Sequence, residues 1–456
     1  MKKSLLHIFA ANIIYLLINI FNSFLLPKFL SVDTYAIIKT YTLYVGYAGF
    51  LSLGYADGMY LKYGGKDINE LDLVDLSTNY KSYTLFELIV CFICLIIALM
   101  LNDFVLICFS IGGFFINIIG YYKNLYQAVG EFKLYGKSLN YQTILLFFMS
   151  FILIFCFQSD NPKNYIIVQV LSALIVVIYL TLILNKNIHI LGVGKVSLKE
   201  IVKNISMGFT LMLGNFSSSI FTSLDRWFIK ALMTNKFFAY YSFAVSLENI
   251  VDVFITPITI SLYNSFCKNY SIQHILKIKK MTLLWGFLII TAAFPVKFII
   301  INFLPQYSNA ISIILPLFAA QAFYAVIKGV HINLYKAEHK QKKYFKIMIF
   351  MMIVAVILNC VLYFFSKQVE SFAYATLITA IVWQIYCEIE NSKLRFNNNE
   401  YVSIILLFIS YFVAGNITNA IMGLLLYLLS FLIIVIIFMR DTLQYCLNSI
   451  FLNKKI

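Results

Sequence analysis

Thr222–Asp252 reads TSLDRWFIKALMTNKFFAYYSFAVSLENIVD. The stretch predicts the end of one membrane helix, a tight turn at Met233–Lys236 and most of the next helix. Asp225, Arg226, Lys230, Glu248 and Asp252 lie close to or inside apolar helix, where a charge costs several kcal/mol by most estimates. Arg226 and Lys230 are four apart and share a helical face, as do Glu248 and Asp252 on the following helix. A basic pair and an acidic pair on neighbouring helices admit two readings: an ion-pair cluster that docks the helices, or the charged wall of a substrate or ion pathway.

The rest of the chain has the same character. Of 456 residues, 61% are hydrophobic and 12% charged, and mean hydropathy is +0.86. This is the composition of an all-α polytopic membrane protein. The net charge of +15 does not indicate nucleic acid, because the basic residues lie between apolar runs and form no patch. Cys91 and Cys94 form a CxxC inside an apolar run, where helix packing accounts for them. No metal-ligand spacing and no nucleotide-binding loop occurs, so neither a metal nor a cofactor is expected.

About fourteen segments have membrane-crossing length. They cover 7–30, 35–60, 83–101, 104–122, 139–158, 165–184, 205–231, 238–263, 281–303, 310–335, 345–366, 372–390, 401–416 and 418–439. With the amino terminus inside, the inner connections collect roughly 26 Lys and Arg and the outer ones about four, Lys28, Lys163, Lys236 and Lys367. This asymmetry predicts cytoplasmic termini. The inner connections Lys62–Tyr80, Asn185–Asn204 and Asn264–Lys280 are each long enough for a short amphipathic helix at the inner leaflet.

The chain also repeats itself. Asn124–Lys137 (NLYQAVGEFKLYGK) matches Asn333–Lys346 (NLYKAEHKQKKYFK) at about half its positions, and Gly120/Gly329 extends the match. An even number of spans separates the copies, which makes them parallel repeats. The expected organisation is a six-helix bundle (1–184), a cytoplasmic linker (185–204), a second six-helix bundle (205–390), and two further helices with a cytoplasmic tail (391–456).

Polar residues recur in stripes on these spans. Span one carries Asn12, Asn19 and Asn22; span seven carries Asn215, Ser219 and Thr222; span eight carries Ser242, Ser246, Asn249, Asp252, Thr256 and Thr259. Lipid does not reward such stripes, so they are expected to face protein or water, in ordinary interhelical hydrogen bonding or in a cavity shared by the halves. Arg226, Lys39, Lys230, Lys297 and Lys328 would give that cavity a cationic lining suited to an anion, unless each snorkels to an interface. Glu248 and Asp252 are candidates for ion coupling, and Pro257, Pro295 and Pro316 for helix kinks.

At this point the residues resemble a family. LLPKFLSVDTYAIIKTYTLY, GYADGMYLKYGG, YQAVGEFKLYGK and above all LDRWFIKAL…FAYYSFAVSL are similar to the polysaccharide transporter branch, the Wzx-type O-antigen flippases, of the multidrug/oligosaccharidyl-lipid/polysaccharide exporter superfamily. The resemblance implies a MATE-like V of two six-helix bundles plus two carboxy-terminal helices. It implies movement of an undecaprenyl-diphosphate-linked glycan, an O-antigen or capsule repeat unit, across the bacterial inner membrane by ion-coupled alternating access. A polysaccharide polymerase and a chain-length regulator are the implied partners besides the lipid bilayer. Two alternatives stand against this reading. A multidrug or cation antiporter should have an acidic or aromatic cavity, which the in-span Lys and Arg oppose. A membrane polymerase or glycosyltransferase needs carboxylates or basic clusters on sizeable outer loops, and no outer loop here is long.

Overall fold

The structure is a computed structural model that describes residues 18–451 apart from 189–190, 192–193, 269–270 and 339; the side chains of Asp252, Thr256 and Pro257 also lie outside the described set. The described chain consists of helices joined by short turns, and ten of its helices are long and apolar enough to cross a membrane. It is an all-α polytopic membrane protein, as the apolar runs require: in hydrocarbon a backbone must satisfy its own hydrogen bonds.

Each expected span is represented among the described residues, the first by its second half alone. Helix α1 covers residues 18–29. Span two is broken, into α2 (Val32–Val45), a 3-10 turn (Ala48–Ser52) and α3 (Tyr55–Tyr63). Leu53 and Gly54 take φ of 47° and 86° between the two pieces, a left-handed conformation that glycine accepts readily and leucine does not. Next come α4 (Leu73–Met100), α5 (Phe104–Ala128), α6 (Phe132–Phe155) and α7 (Pro162–Ile188). The deciding stretch forms the end of α8 (Leu198–Leu232) and much of α9 (Asn235–Lys268), helices of 35 and 34 residues. The ninth span is α10 (Ile272–Ile289) and α11 (Ala293–Phe303), joined by a 3-10 turn just before Pro295, where a kink was expected. The tenth is α12 (Ile311–Val326), a π-helical turn at Ile327–His331, and α13 (Ile332–Ala337). Then follow α14 (Gln341–Ser366), α15 (Glu370–Glu390), α16 (Asn398–Asn416), α17 (Ala420–Phe438) and a last helix, α18 (Arg440–Phe451).

The expectation of amphipathic helices in three inner connections is corrected. Helix α4 already starts at Leu73, α7 runs to Ile188, α8 starts at Leu198, and α9 and α10 leave only Asn269–Ser271 between them. The polar residues there lengthen the spans instead. Polar caps fix several helix starts: Asp103 accepts from the Val105 and Leu106 amides at 2.7 and 3.2 Å, and Asp72 from Val74 at 2.9 Å.

The repeat is visible in the helix ends. Helix α5 ends at Ala128 and α13 at Ala337; α6 begins at Phe132 and α14 at Gln341, all at the offset of the sequence match. Contacts divide the chain into two units, Met1–Ser223 and Leu224–Ile456. Helix α5 is the central post of the first, packing on α2, α3, α4, α6 and α7. Its counterpart α12 is the post of the second, with every residue from Ile313 to Val326 buried.

The first unit has a tyrosine-rich core in which the rings pack and the hydroxyls of Tyr55, Tyr83, Tyr121 and Tyr122 find partners, while that of Tyr126 has none among the described residues. Tyr83 and Tyr121 stack at 5.0 Å, the Tyr55 hydroxyl donates to the Asn79 carbonyl at 2.9 Å, and Tyr122 and Thr181 are 2.6 Å apart. Helices α3 and α8 touch through glycine: a Cβ at Gly58 would lie 1.9 Å from the Asn204 carbonyl oxygen, and one at Gly208 2.0 Å from that of Gly54. Lys62 of α3 bridges Asp75 and Glu200 at 2.7 and 2.8 Å.

Candidate functional site

Helix rise settles how the charges of the deciding stretch stand to one another. Arg226 is six residues before the end of α8, about 9 Å along the axis, whereas Glu248 is thirteen residues into α9, about 20 Å from the same turn. The residue of α9 level with the Asp225–Arg226 pair is Tyr241, whose hydroxyl donates to the Asp225 carboxylate. The basic and acidic pairs therefore sit at different depths, and the helices dock through Asp225 and Tyr241. Asp225 is buried, and its other oxygen accepts the Arg226 backbone amide at 2.7 Å.

Arg226 is half-buried, and its Nε is enclosed with no hydrogen-bond partner among the described residues. A guanidinium presents its donors in a planar fork that matches carboxylate or phosphate oxygens. Lys230 instead turns to the α8–α9 connection: its ammonium donates to Asn235 at 3.0 Å and lies 5.2 Å from the Phe238 ring centre. Glu248 is bound by the Gln321 side-chain amide of α12, and the Gln321 Oε1 is buried without a partner among the described residues. The expected companion of Glu248, the Asp252 side chain, lies outside the described set, as does Asn12.

The remaining cations separate. Lys39 on α2 lies over the Tyr35 ring at 5.2 Å and Lys328, in the π-helical turn, 5.7 Å from that of Tyr324. Lys297 is 7% exposed and donates to the Gly415 and Ile417 carbonyls at 2.6 and 2.7 Å. These carbonyls lie at the end of α16, where orphan acceptors and the helix dipole favour a cation, so the geometry of Lys297 is that of a helix cap.

The α8 stripe is surface. Asn215, Ser219 and Thr222 are exposed, as is Asn249 on α9, while Asn19 and Asn22 on α1 are half-buried. Asn215 donates to Asp57 of α3 at 3.3 Å. Ser219 returns its proton to the Asn215 carbonyl at 3.1 Å, and Thr222 to the Ser218 and Ser219 carbonyls at 3.2 Å.

Sequence reasoning missed a buried network in the second unit. Lys279 of α10, with no exposed side chain, donates to Glu388 of α15 at 2.6 Å and to the Leu394 carbonyl at 2.7 Å, and lies 3.8 Å from the Phe396 ring centre. Glu388 also accepts from Gln384 at 2.8 Å and from the Tyr401 hydroxyl, while Arg395 donates to its carbonyl at 3.1 Å. The network ties α10, α15 and α16 together. Lys279 belongs to the run KIKK, which reads as loop until the helix ends are known.

No family model matches the sequence, and no curated protein matches it. Solved structures do. The chain is similar to a lipid II flippase MurJ in an inward closed conformation, with a TM-score of 0.70 and 15% identity over 96% of this chain and 99% of that one. It is also similar to an inward-facing multidrug resistance MATE family transporter of the MOP superfamily, with a TM-score of 0.55 and 13% identity over 84% of this chain and 94% of that one. The fold is thus the one that this flippase and this transporter share. Of the two, MurJ is the one whose helices account for nearly all of this chain.

Proposed function

We propose that the protein is a flippase that carries a lipid-linked oligosaccharide, an undecaprenyl-diphosphate-linked O-antigen or capsule repeat unit, from the inner to the outer leaflet of the bacterial cytoplasmic membrane. The observation that carries this reading is the match to a lipid II flippase over 96% of the chain, where the multidrug transporter leaves about a sixth uncovered. The charge pattern supports it. A lipid diphosphate needs a cation at its phosphates and polar surface for its glycan, and its tail can stay in lipid. Arg226 supplies an unengaged donor, and Asn215, Ser219, Thr222 and Asn249 supply exposed polar surface on helices of membrane length. Lys39 and Lys328 are secondary anion contacts; a polymerase and a chain-length regulator are further partners. Glu248, with Asp252, is the ion-coupling candidate of the second unit.

The test uses purified protein in vesicles containing the lipid-linked oligosaccharide. Translocation driven by a proton or sodium gradient is the expected result, and the Glu248→Gln/Asp252→Asn double variant should flip lipid without responding to the gradient. Export of cationic dyes with no lipid translocation would replace this reading by drug antiport. The proposed orientation places both termini and Lys336–Lys346 in the cytoplasm. A cysteine at Lys340 is then inaccessible to an impermeant thiol reagent applied to intact cells, and one at Lys367 is accessible; the reverse pattern would overturn the topology.

A further inference from the structure

Glu87 is the sole acidic residue between Asp75 and Asp103. It sits at the middle of the 28-residue α4, about 20 Å from either end, and is fully buried. Its Oε2 accepts from the Asn117 side-chain amide of α5 at 2.9 Å, and the Cys91 thiol lies 4.0 Å away. Its Oε1 has no hydrogen-bond partner among the described residues. The groups beside it carry no charge at neutral pH: Tyr83, Cys91 and Cys94 of α4 and Asn117 of α5, with Tyr55 of α3 and Tyr121 of α5 packed on the Tyr83 ring and the 3-10 turn Ala48–Ser52 bound to Asn117. No cation pairs with Glu87 among the described residues. An unpaired carboxylate so deep in a membrane protein is strongly disfavoured.

The Asn117 amide has two hydrogens, and both are used. One goes to Glu87, the other to the Ala48 carbonyl at 2.9 Å. That carbonyl belongs to the break in span two, where Leu53 and Gly54 hold left-handed backbone. One amide therefore joins a buried acid to the interrupted segment between α2 and α3. The Tyr83 hydroxyl, one turn before Glu87, donates to the Asn117 backbone carbonyl at 3.1 Å and steadies the arrangement.

We propose that Glu87 is a proton-exchange site of the amino-terminal unit, and that the broken segment at residues 46–54 is the element that opens when the proton leaves. With the proton on, the closed packing holds a neutral acid. When the proton passes to water, the carboxylate left behind needs water or a cation, and Asn117 turns fully to it, releasing the Ala48 carbonyl. The segment is protected below the pH of proton release and loses protection as pH rises through it.

The experiment uses the full-length protein in nanodiscs with no lipid-linked substrate, so that its failure is distinct from failure of the flippase reading. Proton uptake per chain is measured after a downward pH jump, in choline chloride and in sodium chloride. The wild type should take up one more proton than Glu87→Gln, and Glu87→Asp should keep that proton. Hydrogen exchange at residues 46–54, corrected for the intrinsic rate, should speed up with pH in the wild type and stay flat in Glu87→Gln. Equal proton uptake in the wild type and Glu87→Gln would overturn the proposal. So would a pH-dependent opening of 46–54 that survives in Glu87→Gln, or a Glu87-dependent signal that appears only with sodium.

Discussion

Arg226→Ala abolishes export of the lipid-linked glycan while the protein stays folded at its normal level in the membrane: that is the result expected if Arg226 meets the diphosphate. Charge-assisted hydrogen bonds contribute about 1.5–3 kcal/mol each, so loss of a two-pronged contact lowers the translocation rate at least about 100-fold. Arg226→Lys keeps the charge without the planar fork and should retain part of the activity. Stability should change little, because the Arg226 Nε has no hydrogen-bond partner among the described residues and Glu248 lies about 10 Å deeper along the hairpin. A docking role for the Arg226 side chain makes the opposite forecast: Arg226→Ala would unfold at lower temperature, and removing an acid as well would restore it. Binding of the lipid-linked substrate, measured with protein level in the same variants, separates the two. Full affinity and export in well-expressed Arg226→Ala would dispose of the phosphate role.

Lys279→Met has the largest expected effect on stability. It strands Glu388 in a buried site where that carboxylate has lost its cation, and breaking such a pair from one side costs about 3–5 kcal/mol. The hydrogen bond to the Leu394 carbonyl goes as well. Thermal unfolding in detergent should drop sharply, with α16 and α17 losing proteolytic protection first, because α16 is tied down through Tyr401. Adding Glu388→Gln to Lys279→Met should recover much of the loss, since it removes the orphaned charge and leaves an amide for Gln384 and Tyr401. A melting temperature unchanged in the single variant would show that the network is dispensable.

Helix order was legible because most of the spans are long apolar runs, and hydrocarbon leaves such a run only one way to satisfy its backbone. The repeat was legible too, down to the residues at which its helices end. The break in span two was not: Gly46 and Gly54 are weak signals, and only the packing of α3 on α8 shows why the chain needs a left-handed step there. Among the candidate site residues, Arg226 is half-buried with an Nε that has no hydrogen-bond partner among the described residues. Lys297 looked the same in sequence, but its partners are carbonyls 118 and 120 residues away, a contact that periodicity cannot reveal. Glu87 did leave a signal, as a single acid in the long apolar run of α4. A lone acid shares no helical face with a second charge, so spacing alone does not mark it as a site.

The hydroxyls on α8 have one further consequence. Ser219 and Thr222 each possess a single hydrogen, and each gives it back to a carbonyl of its own helix. What they turn outward is oxygen lone pairs. The exposed stripe is therefore rich in acceptors and poor in donors, and a molecule that rests on it must bring its own hydrogens. A sugar, with a hydroxyl on nearly every carbon, brings many in no fixed order. Under the proposed flippase function, such a surface would hold glycans of different composition about equally well, and selectivity among repeat units would have to come from elsewhere in the chain.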